Sequence, residues 1–462
     1  MKAETIHVDL IHFITISECI IHKTVNNHAT AKIIGIVPDD EKIVDKISEK
    51  TWMTIYSKNG EEQQVLFTGI MESISMQETI GQKECEIELV GATRLLDIEE
   101  QTKTFQNAGM TFESLFQNTL QRHGASCIWA EKAETTLGQF YVQYKETDWK
   151  FLLRMASCMN MCVIPEITRK KIGFYVGLSE HTQLYECDKK QCVQRKEINC
   201  MRSYGGQMIR NNEVDDVMIW NSGRVLTLGD RVSVSGSVYY VYAIKSTWEK
   251  SMLIHEYVLR RKKDFEVKKH YNDKIVGASL DAVILEVGGS RVKVQISVDR
   301  KQRKESAKWF NYSTVFSSPD GTGWYCMPET GDHVRVYFPS EKEKDAYVIS
   351  SVHMGEGQAA RTNPDVKTIM NRFNKQIKWD DKSIVITNNN GITFEINDED
   401  GIKLESNKGI SFIAQEDVQI ASLNANVEIV GMEKVLITQD GAEVQMEDSK
   451  INFKANEVHI QR

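Results

Sequence analysis

The sequence predicts a mainly β protein with three regions in a row. Short runs in which apolar and polar residues alternate occur along most of the chain, whereas only two stretches repeat apolar residues at helical spacing. From residue 377 onward, pairs of apolar residues recur about every eight residues. A chain of 462 residues is long enough for about three domains. We expect domains over 1–272, 273–355 and 377–462, with a linker over 356–376.

The first region reads as two β units, about 1–100 and 165–265, that are bridged by a helical segment of about 108–162. Helices are expected after the cap Thr111 and after Thr147-Asp148, where either residue can be the cap, since apolar residues then follow at helical spacing, and Gly124 and Pro165 mark the ends. The alternating segments predict nine strands, at 12–17, 31–37, 65–70, 85–92, 172–176, 216–219, 231–234, 238–244 and 255–259.

The second region, 273–355, contains five short alternating segments. Five strands of this size suit a small barrel of the oligonucleotide/oligosaccharide-binding (OB) type, although such a fold does not by itself imply a function. The expected strands cover 279–285, 291–296, 311–316, 334–338 and 346–349.

The third region is a β-rod, because period two inside each apolar pair indicates a strand with one buried face and the recurrence indicates a tandem repeat. The ten pairs are Ile384/Ile386, Ile392/Phe394, Ile402/Leu404, Ile410/Phe412, Val418/Ile420, Val427/Ile429, Val435/Ile437, Val444/Met446, Ile451/Phe453 and Val458/Ile460.

One repeat of the rod is too short to encircle a core, since eight residues of strand span roughly 26 Å. Three successive repeats of one chain could form each turn, or three chains could each supply one side of a common needle. We favour the trimeric β-helix because an isolated chain would expose a long apolar stripe; an antiparallel meander is the remaining alternative. The expected core residues are Ile402, Leu404, Ile410, Phe412, Val418, Ile420, Val427, Ile429, Val444 and Ile451.

The charge of the chain is concentrated in this rod. Residues 377–462 hold 8 Lys and Arg against 16 Asp and Glu, which accounts for the whole net charge of −8. A trimeric rod of this composition is soluble and repels nucleic acids and anionic lipid surfaces. The composition therefore argues against nucleic-acid binding and against stable membrane association.

Three segments resemble one family, the spike and hub proteins of contractile injection systems, which include the valine-glycine repeat protein G (VgrG) spikes and phage tail hubs. The first segment is Ile21–Thr30. The second is the run Tyr141-Val142-Gln143-Tyr144-Lys145-Glu146-Thr147-Asp148-Trp149-Lys150-Phe151-Leu152, in which Tyr144, Glu146, Asp148, Trp149 and Phe151 match the family's hub motif. The third lies in the OB-like region and consists of Pro328, Glu329, Gly331 and Asp332.

The resemblance implies a homotrimer without catalytic residues. Two barrel domains per chain would form a pseudo-sixfold hub on a hexameric tail tube and baseplate, the OB-like barrel would form a neck, and the β-helix would form a needle that punctures the target envelope. It also implies a separate tip protein of the proline-alanine-alanine-arginine (PAAR) repeat class at Val458, His459, Ile460, Gln461 and Arg462. The rod departs from some relatives in lacking a regular Val-x-Gly spacing and an iron-binding His-x-His pair.

Motifs for catalysis, metal or cofactors are not found in the sequence. There is no His-Glu-x-x-His, no phosphate-binding loop and no Gly-x-Ser-x-Gly. The interval 354–376 is too short to hold a lysozyme of the kind that some phage relatives carry. Cysteine pairs at Cys158/Cys162 and Cys187/Cys192 lack the Cys-x-x-Cys spacing of a structural zinc site, so we expect no metal and no cofactor.

Two other functions are alternatives to a spike: a cell-wall hydrolase hub and a trimeric receptor-binding fibre. A cell-wall hydrolase hub would need a catalytic insert, and a trimeric receptor-binding fibre or adhesin should end in a globular head. The acidic residues near the N-terminus and an odd count of nine scattered cysteines predict a protein made in the bacterial cytoplasm without a signal peptide. We expect it to become part of an assembled tail or injection particle, which is extracellular after release.

Overall fold

The computed structural model describes residues 5–41, 47–48, 51–79, 81–130, 134–198, 201–204, 207–210, 215–249, 251–299, 301–355 and 362–461. It divides the chain into two compact units, Met1–Met354 and Gly355–Arg462. Both units are built mainly from strands. The described residues contain two α-helices, α1 at Phe112–Leu120 and α2 at Asp148–Ser157.

The strands of the first unit are β1 Thr5–Val8, β2 Thr15–Thr24, β3 Thr30–Val37, β4 Trp52–Asn59, β5 Glu62–Thr79, β6 Gln82–Gly91, β7 Glu100–Phe105, β8 Ser126–Trp129, β9 Tyr141–Thr147, β10 Val163–Pro165, β11 Gly173–Val176, β12 Leu184–Cys187, β13 Cys192–Glu197, β14 Met201–Tyr204, β15 Gln207–Arg210, β16 Asp215–Ser222, β17 Arg231–Val234, β18 Ser237–Glu249, β19 Met252–Arg260, β20 Ser279–Gly288, β21 Arg291–Ile296, β22 Trp309–Asn311, β23 His333–Tyr337 and β24 Tyr347–Val352.

The two predicted β units of the first region are joined into one sheet. Its order is β1-β4-β5-β6-β3-β2-β18-β19-β16-β13, and β17, which itself carries β12, pairs with β18. The connection is the antiparallel pairing of β2 with β18, from Thr24 opposite Ala243 to Cys19 opposite Trp248. Among the described strands, β1 and β13 end the order at opposite sides, so the two closed barrels expected from the sequence are not observed. Alternation within a strand predicts its buried face but not its neighbour, which explains why the joint was missed.

Both predicted helices are present; the first begins after the predicted cap Thr111, and of the two candidates for the second, Thr147 is the cap. The hydroxyl of Thr111 accepts a hydrogen bond from Ser114 N at 3.2 Å, and that of Thr147 accepts one from Lys150 N at 3.3 Å. These side chains satisfy amide groups that a helix start leaves without partners. The turn after α1 closes at Gly124, whose φ of 59° is the left-handed conformation that glycine adopts readily.

The OB-like region forms a five-stranded sheet in the order β22-β21-β20-β23-β24. Four of its five strands lie where the sequence predicts them, but the strand expected at 311–316 is wrong, because β22 ends at Asn311. Beyond it, Ser313 N donates to Val348 O at 2.8 Å, and the chain then leaves the sheet with Val315 89% exposed. The alternation in this stretch therefore does not reflect a buried face.

The second unit contains two antiparallel sheets separated by a long stretch without strands. The first sheet runs β25-β26-β27-β28-β29 and the second runs β30-β31-β32, each strand pairing with the next along the chain. Their bounds are β25 Lys367–Met370, β26 Gln376–Trp379, β27 Ser383–Thr387, β28 Ile392–Asn397, β29 Gly401–Ser406, β30 Lys434–Gln439, β31 Ala442–Glu447 and β32 Lys450–Lys454.

The two sheets differ from the ten equivalent strands that the repeat of apolar pairs predicts. Six of the ten apolar pairs lie in strands, whereas the pairs at 410/412, 418/420, 427/429 and 458/460 do not. Within one chain the strands form the antiparallel meander that was the alternative to a β-helix. Nine of the ten expected needle-core residues are exposed in the single chain and Val444 is partly buried, so the winding of three chains stays a prediction.

Candidate functional site: a buried charged junction

The segment from β9 into α2 carries the hub motif and lies between the large sheet and the OB-like sheet. β9 pairs with β7 antiparallel, and the chain turns directly into the helix capped by Thr147. Nine of the ten residues of α2 are buried, including the charged Asp148 and Arg154, and Lys150 is exposed. A charged residue is buried at this level only when its charge is paired, so the contacts of these two residues define the site.

Arg154 is the centre of the junction. Its Nε and one terminal nitrogen donate to the two carboxylate oxygens of Glu146 at 2.9 and 2.7 Å, and the same terminal nitrogen donates to Val142 O at 2.7 Å. The other terminal nitrogen donates to Glu343 Oε1 at 2.7 Å. Exposed fractions are 4% for Arg154, 8% for Glu146 and 2% for Glu343. One guanidinium therefore binds both the hub motif and the OB-like region.

The electrostatics hold this network in its ionised form. Burial by itself would lower the pKa of Arg154, but the carboxylates of Glu146 and Glu343 outweigh that effect and raise it. Removing one member of such a network leaves the others charged and buried without a partner, which is strongly destabilising. The bidentate geometry at Glu146 also fixes the direction of the arginine fork.

Asp148 holds the first turn of α2 against the end of α1. Its Oδ1 accepts from Gln143 Nε2 at 2.8 Å, and its Oδ2 lies 2.7 Å from both Arg122 Nε and His123 Nε2. An acidic residue in the first turn of a helix also interacts favourably with the helix dipole. The carboxylate therefore has a structural role in joining the two helices.

The first and second motifs meet at His28. Its ring lies 4.8 Å from the ring of Trp149, its Nδ1 lies 2.8 Å from Thr93 Oγ1, and its Nε2 lies 3.3 Å from Asp97 Oδ2. The hydroxyl of Thr147 donates to the same Asp97 carboxylate. Burial raises the pKa of Asp97, but hydrogen bonds from His28 and Thr147 outweigh it and lower the pKa overall. The carboxylate thus ties the turn between β2 and β3 to the start of α2.

An apolar cluster completes the junction on the OB-like side. Phe140 lies with its ring centroid 5.3 Å from that of Phe310 and 6.2 Å from that of Phe338, and Val142 belongs to the same cluster. Asp299 accepts from Thr104 N at 2.9 Å across the same boundary. The OB-like core is therefore closed by residues of the first region, and the two regions pack as one unit.

The third motif forms a turn at the entrance to β23. Glu329 N donates to Asp332 Oδ2 at 2.8 Å, and Asp332 N donates back to Glu329 O at 3.1 Å. Gly331 has a φ of 97°, which side chains with a Cβ rarely adopt. Pro328 is buried beside this turn. These residue types are therefore required by the geometry of the turn.

The remaining motif residues and the expected tip-docking residues differ in burial. Trp149 and Phe151 are fully buried in the helical core, and the ring of Tyr144 is partly exposed with Lys145 Nζ 5.5 Å from its centroid. At the other end of the chain, Val458, His459, Ile460 and Gln461 are exposed, and His459 Nε2 lies 3.2 Å from Glu457 Oε2. Arg462 lies outside the described residues.

Sequence reasoning missed several members of the junction, among them Arg154, Glu343 and Asp97. Arg154 carried no distinct signal, because it lies on the same side of α2 as Lys150 and Ser157, where a charged residue is expected to be solvated. Glu343 and Asp97 carry no local signal, since both lie in polar surroundings in the sequence. Within the described residues, no group of three His, Cys, Asp or Glu side chains is placed to hold a metal ion.

Comparison with known proteins agrees with this architecture. Residues 282–353 match the family model of the type VI secretion system/phage-baseplate injector OB domain. No curated protein matches the sequence. The structure is similar to that of the E. coli c3393 protein, a component of the type VI secretion system with structural similarity to the T4 bacteriophage tail proteins gp27 and gp5, at a TM-score of 0.53 and 12% identity over 76% of this chain and 100% of that one.

A second similar structure is a chain of the Francisella PdpA-VgrG complex, with a TM-score of 0.54 and 9% identity over 87% of this chain and 88% of that one. At such identities the likeness concerns the fold. Among the helices of the described residues, none combines the length and apolar character needed to cross a bilayer. The resemblance to VgrG-like spike and hub proteins inferred from the three motifs is thereby confirmed: residues 282–353 match the injector OB domain, and the fold of the chain is similar to that of a type VI secretion system component and of a chain of a VgrG complex.

Proposed function

We propose that three copies of this chain form the non-enzymatic spike of a contractile tail or secretion apparatus. The region before residue 273 caps the tail tube and joins the baseplate, the OB domain forms the neck, and residues 377–462 form a needle that is pushed through the target envelope when a sheath contracts. The protein is made in the bacterial cytoplasm and acts as part of an assembled particle.

The observation that carries the trimer is the stretch 407–433. It lies between two regular sheets, yet none of its residues is in a strand. Its apolar side chains are exposed in the single chain, with Phe412 at 75%, Ile413 at 90% and Leu423 at 94%. A long segment of this kind leaves backbone groups and apolar surface without partners, and pairing with the same segment of two other copies supplies both.

Burial gives the assembly its driving force. Completely burying one Ile, Val or Phe side chain contributes about 1.5–3 kcal/mol. The three pairs Ile410/Phe412, Val418/Ile420 and Val427/Ile429 are all at least 48% exposed in the single chain. Six such side chains from each of three copies offset the loss of freedom on association, and every strand of the needle is then paired, without an open edge.

The charged junction supports the mechanical role of the hub. It joins the region before residue 273 to the OB domain through a buried ion network and an apolar cluster, so that the two regions pass force without a flexible linker. The Arg154 contacts are of the kind that specify one packing geometry. Catalytic use of these carboxylates would need access for a substrate, but Glu146 and Glu343 are buried, and both oxygens of Glu146 and one of Glu343 accept hydrogen bonds from Arg154.

The exposed end of the rod supports a docked tip protein. Val458 and Ile460 are 54% and 92% exposed in the single chain. We propose that a PAAR-class protein covers residues 458–462 of the three copies. Binding of the tip protein would bury the side chains of Val458 and Ile460, as trimer formation would bury the apolar side chains of the needle.

Light scattering on the purified chain tests the assembly. The expected mass is three times the 52.8 kDa of one chain, and a monomer at micromolar concentration would refute the spike. Co-expression with the tail-tube protein tests the capping role separately. A trimer that fails to co-purify with tube protein would contradict tube capping while leaving the needle intact.

A further inference from the structure

Cys187 and Cys192 lie at the two ends of a short turn with their sulfur atoms in contact. Cys187 ends β12, Cys192 begins β13, and the two Sγ atoms are 3.2 Å apart. A disulfide has an S–S distance of about 2.05 Å, so the sulfurs need to approach by only about 1.2 Å. Neither cysteine is in a disulfide in this structure.

The turn between them keeps the thiols together. Asp188 caps a 3-10 turn at Lys189–Gln191: its Oδ1 accepts from Lys190 N at 2.9 Å, and its carbonyl accepts from Gln191 N at 2.8 Å. The cysteines therefore meet because of a formed turn, and closing a bond between them costs little additional ordering. Two thiols on a flexible loop would instead lose conformational entropy when the loop closes to bring them together.

The two thiols differ in access. Cys187 is buried at 5% exposed, whereas Cys192 is only partly buried. Burial, followed by the contact with Cys192, raises the pKa of Cys187 to about 12. The order of reaction follows from access, since a reagent in solution reaches Cys192 first and Cys187 is then already beside the modified sulfur.

We propose that Cys187 and Cys192 form a thiol–disulfide site that is oxidised by small-molecule disulfides such as oxidised glutathione. The Cys192 thiolate attacks one sulfur of the reagent and forms a mixed disulfide while one glutathione thiolate leaves. The Cys187 thiolate then attacks Cys192 Sγ and releases the second glutathione. Two electrons pass from the protein thiols to the reagent disulfide, and the two thiol protons end on the two glutathione molecules.

The cross-link would fasten an edge of the large sheet. Among the described strands, β13 pairs only with β16 and lies at the end of the order, and its Val193 is 63% exposed. Within the described part of the chain β12 pairs only with β17, so a bond between β12 and β13 joins two terminal strands of the sheet once the protein meets an oxidising medium, and it does so whether or not the chain is a spike.

Peptide mapping of the wild-type protein tests the site, because trypsin cleaves between the two cysteines at Lys189 and Lys190. The native chain is reduced, incubated with oxidised glutathione, alkylated and digested. We expect peptides 172–189 and 191–195 to be recovered joined by a disulfide, with the loss of two alkylatable thiols per chain. Recovery of both peptides separately and fully alkylated would overturn the proposal.

Single variants separate proximity from general reactivity. With Cys187→Ser, Cys192 should stop at a mixed disulfide with glutathione, and with Cys192→Ser, Cys187 should stay alkylatable after unfolding. Cys326→Ser, which removes an exposed cysteine far along the chain, should leave the 172–189/191–195 cross-link unchanged. A cross-link that instead joins Cys326 to either cysteine would also refute the assignment.

Discussion

Replacing Ile420 by alanine distinguishes a trimeric needle from a solvated meander. Ile420 is 73% exposed in the single chain and lies in the stretch without strands. If the chain functioned alone, the substitution would remove a side chain that faces water, and the free energy of unfolding would change by less than about 0.5 kcal/mol. In a trimer the same change would remove three buried side chains at one level of the needle.

The expected effect in the trimer is large. A buried Ile→Ala change costs about 2–5 kcal/mol, so three copies cost roughly 6–15 kcal/mol per trimer. Since each 1.4 kcal/mol is a factor of ten, even the lower bound weakens association by roughly four orders of magnitude. Such a change is far outside the error of a sedimentation measurement.

The matched control is Gln419→Ala, one residue earlier in the same stretch. Side chains alternate along extended backbone, so Gln419 faces away from the side on which Ile420 lies. Sedimentation velocity across a range of concentrations should show Ile420→Ala dissociating at concentrations where the wild type and Gln419→Ala stay trimeric. Equal behaviour of the two variants, or a wild type that sediments as a monomer, would refute the reasoning.

Three further predictions concern the first unit. Arg154→Met should lower the free energy of unfolding by about 3–5 kcal/mol, because Glu146 and Glu343 are left buried without their cation; denaturant titration measures this. Burial and the nearby Lys23 lower the pKa of His255 to about 4, so the unfolded chain binds a proton at higher pH than the native chain does. Stability should therefore fall as pH drops from about 6.5 to 4, by at most about 3 kcal/mol, and His255→Gln should remove that part of the slope. Thr147→Ala should cost about 1–2 kcal/mol through the lost helix cap, measured by thermal unfolding.

Each of these changes has a control in the same chain. Lys274→Met breaks the exposed pair with Glu100 and should cost under about 1 kcal/mol, so an effect equal to that of Arg154→Met would contradict the buried network. Thr111→Ala removes the cap of α1 and should match the cap contribution of Thr147. A slope of stability against pH that survives His255→Gln unchanged would rule out that histidine as its source.

The sequence predicted where the helices begin more reliably than it predicted which strands pair with each other in a sheet. Thr111 and Thr147 identify helix starts because a cap, a first turn and an apolar face are all local in the chain. The joint between β2 and β18 was missed because more than 200 residues separate the partners, and alternation is the same for any partner. The strand expected at 311–316 was wrong because alternating residues there face solvent.

In the candidate site, too, local features could be predicted from the sequence and contacts between distant residues could not. The motif around Trp149 was readable from sequence as a structural anchor, since its aromatic residues follow a cap at helical spacing. That Arg154 would meet Glu343, 189 residues away, could not be inferred, because an ion pair depends on the packing of two separate regions. The contact of Cys187 with Cys192 lay between these cases, since the spacing was visible but the turn that brings the sulfurs together was not.

The sequence by itself determined the mainly β class, the two capped helices, the acidic repeat at the end and the likeness to injection-system spikes, because each depends on short-range pattern or on motifs. Only the tertiary structure decided that the large sheet is continuous, that one buried arginine joins the hub motif and the OB domain, and that residues 407–433 find no strand partner among the described residues of their own chain. The physical reason is that hydrogen bonding between strands and the burial of charge are satisfied by residues distant in sequence, and these partners are selected by packing.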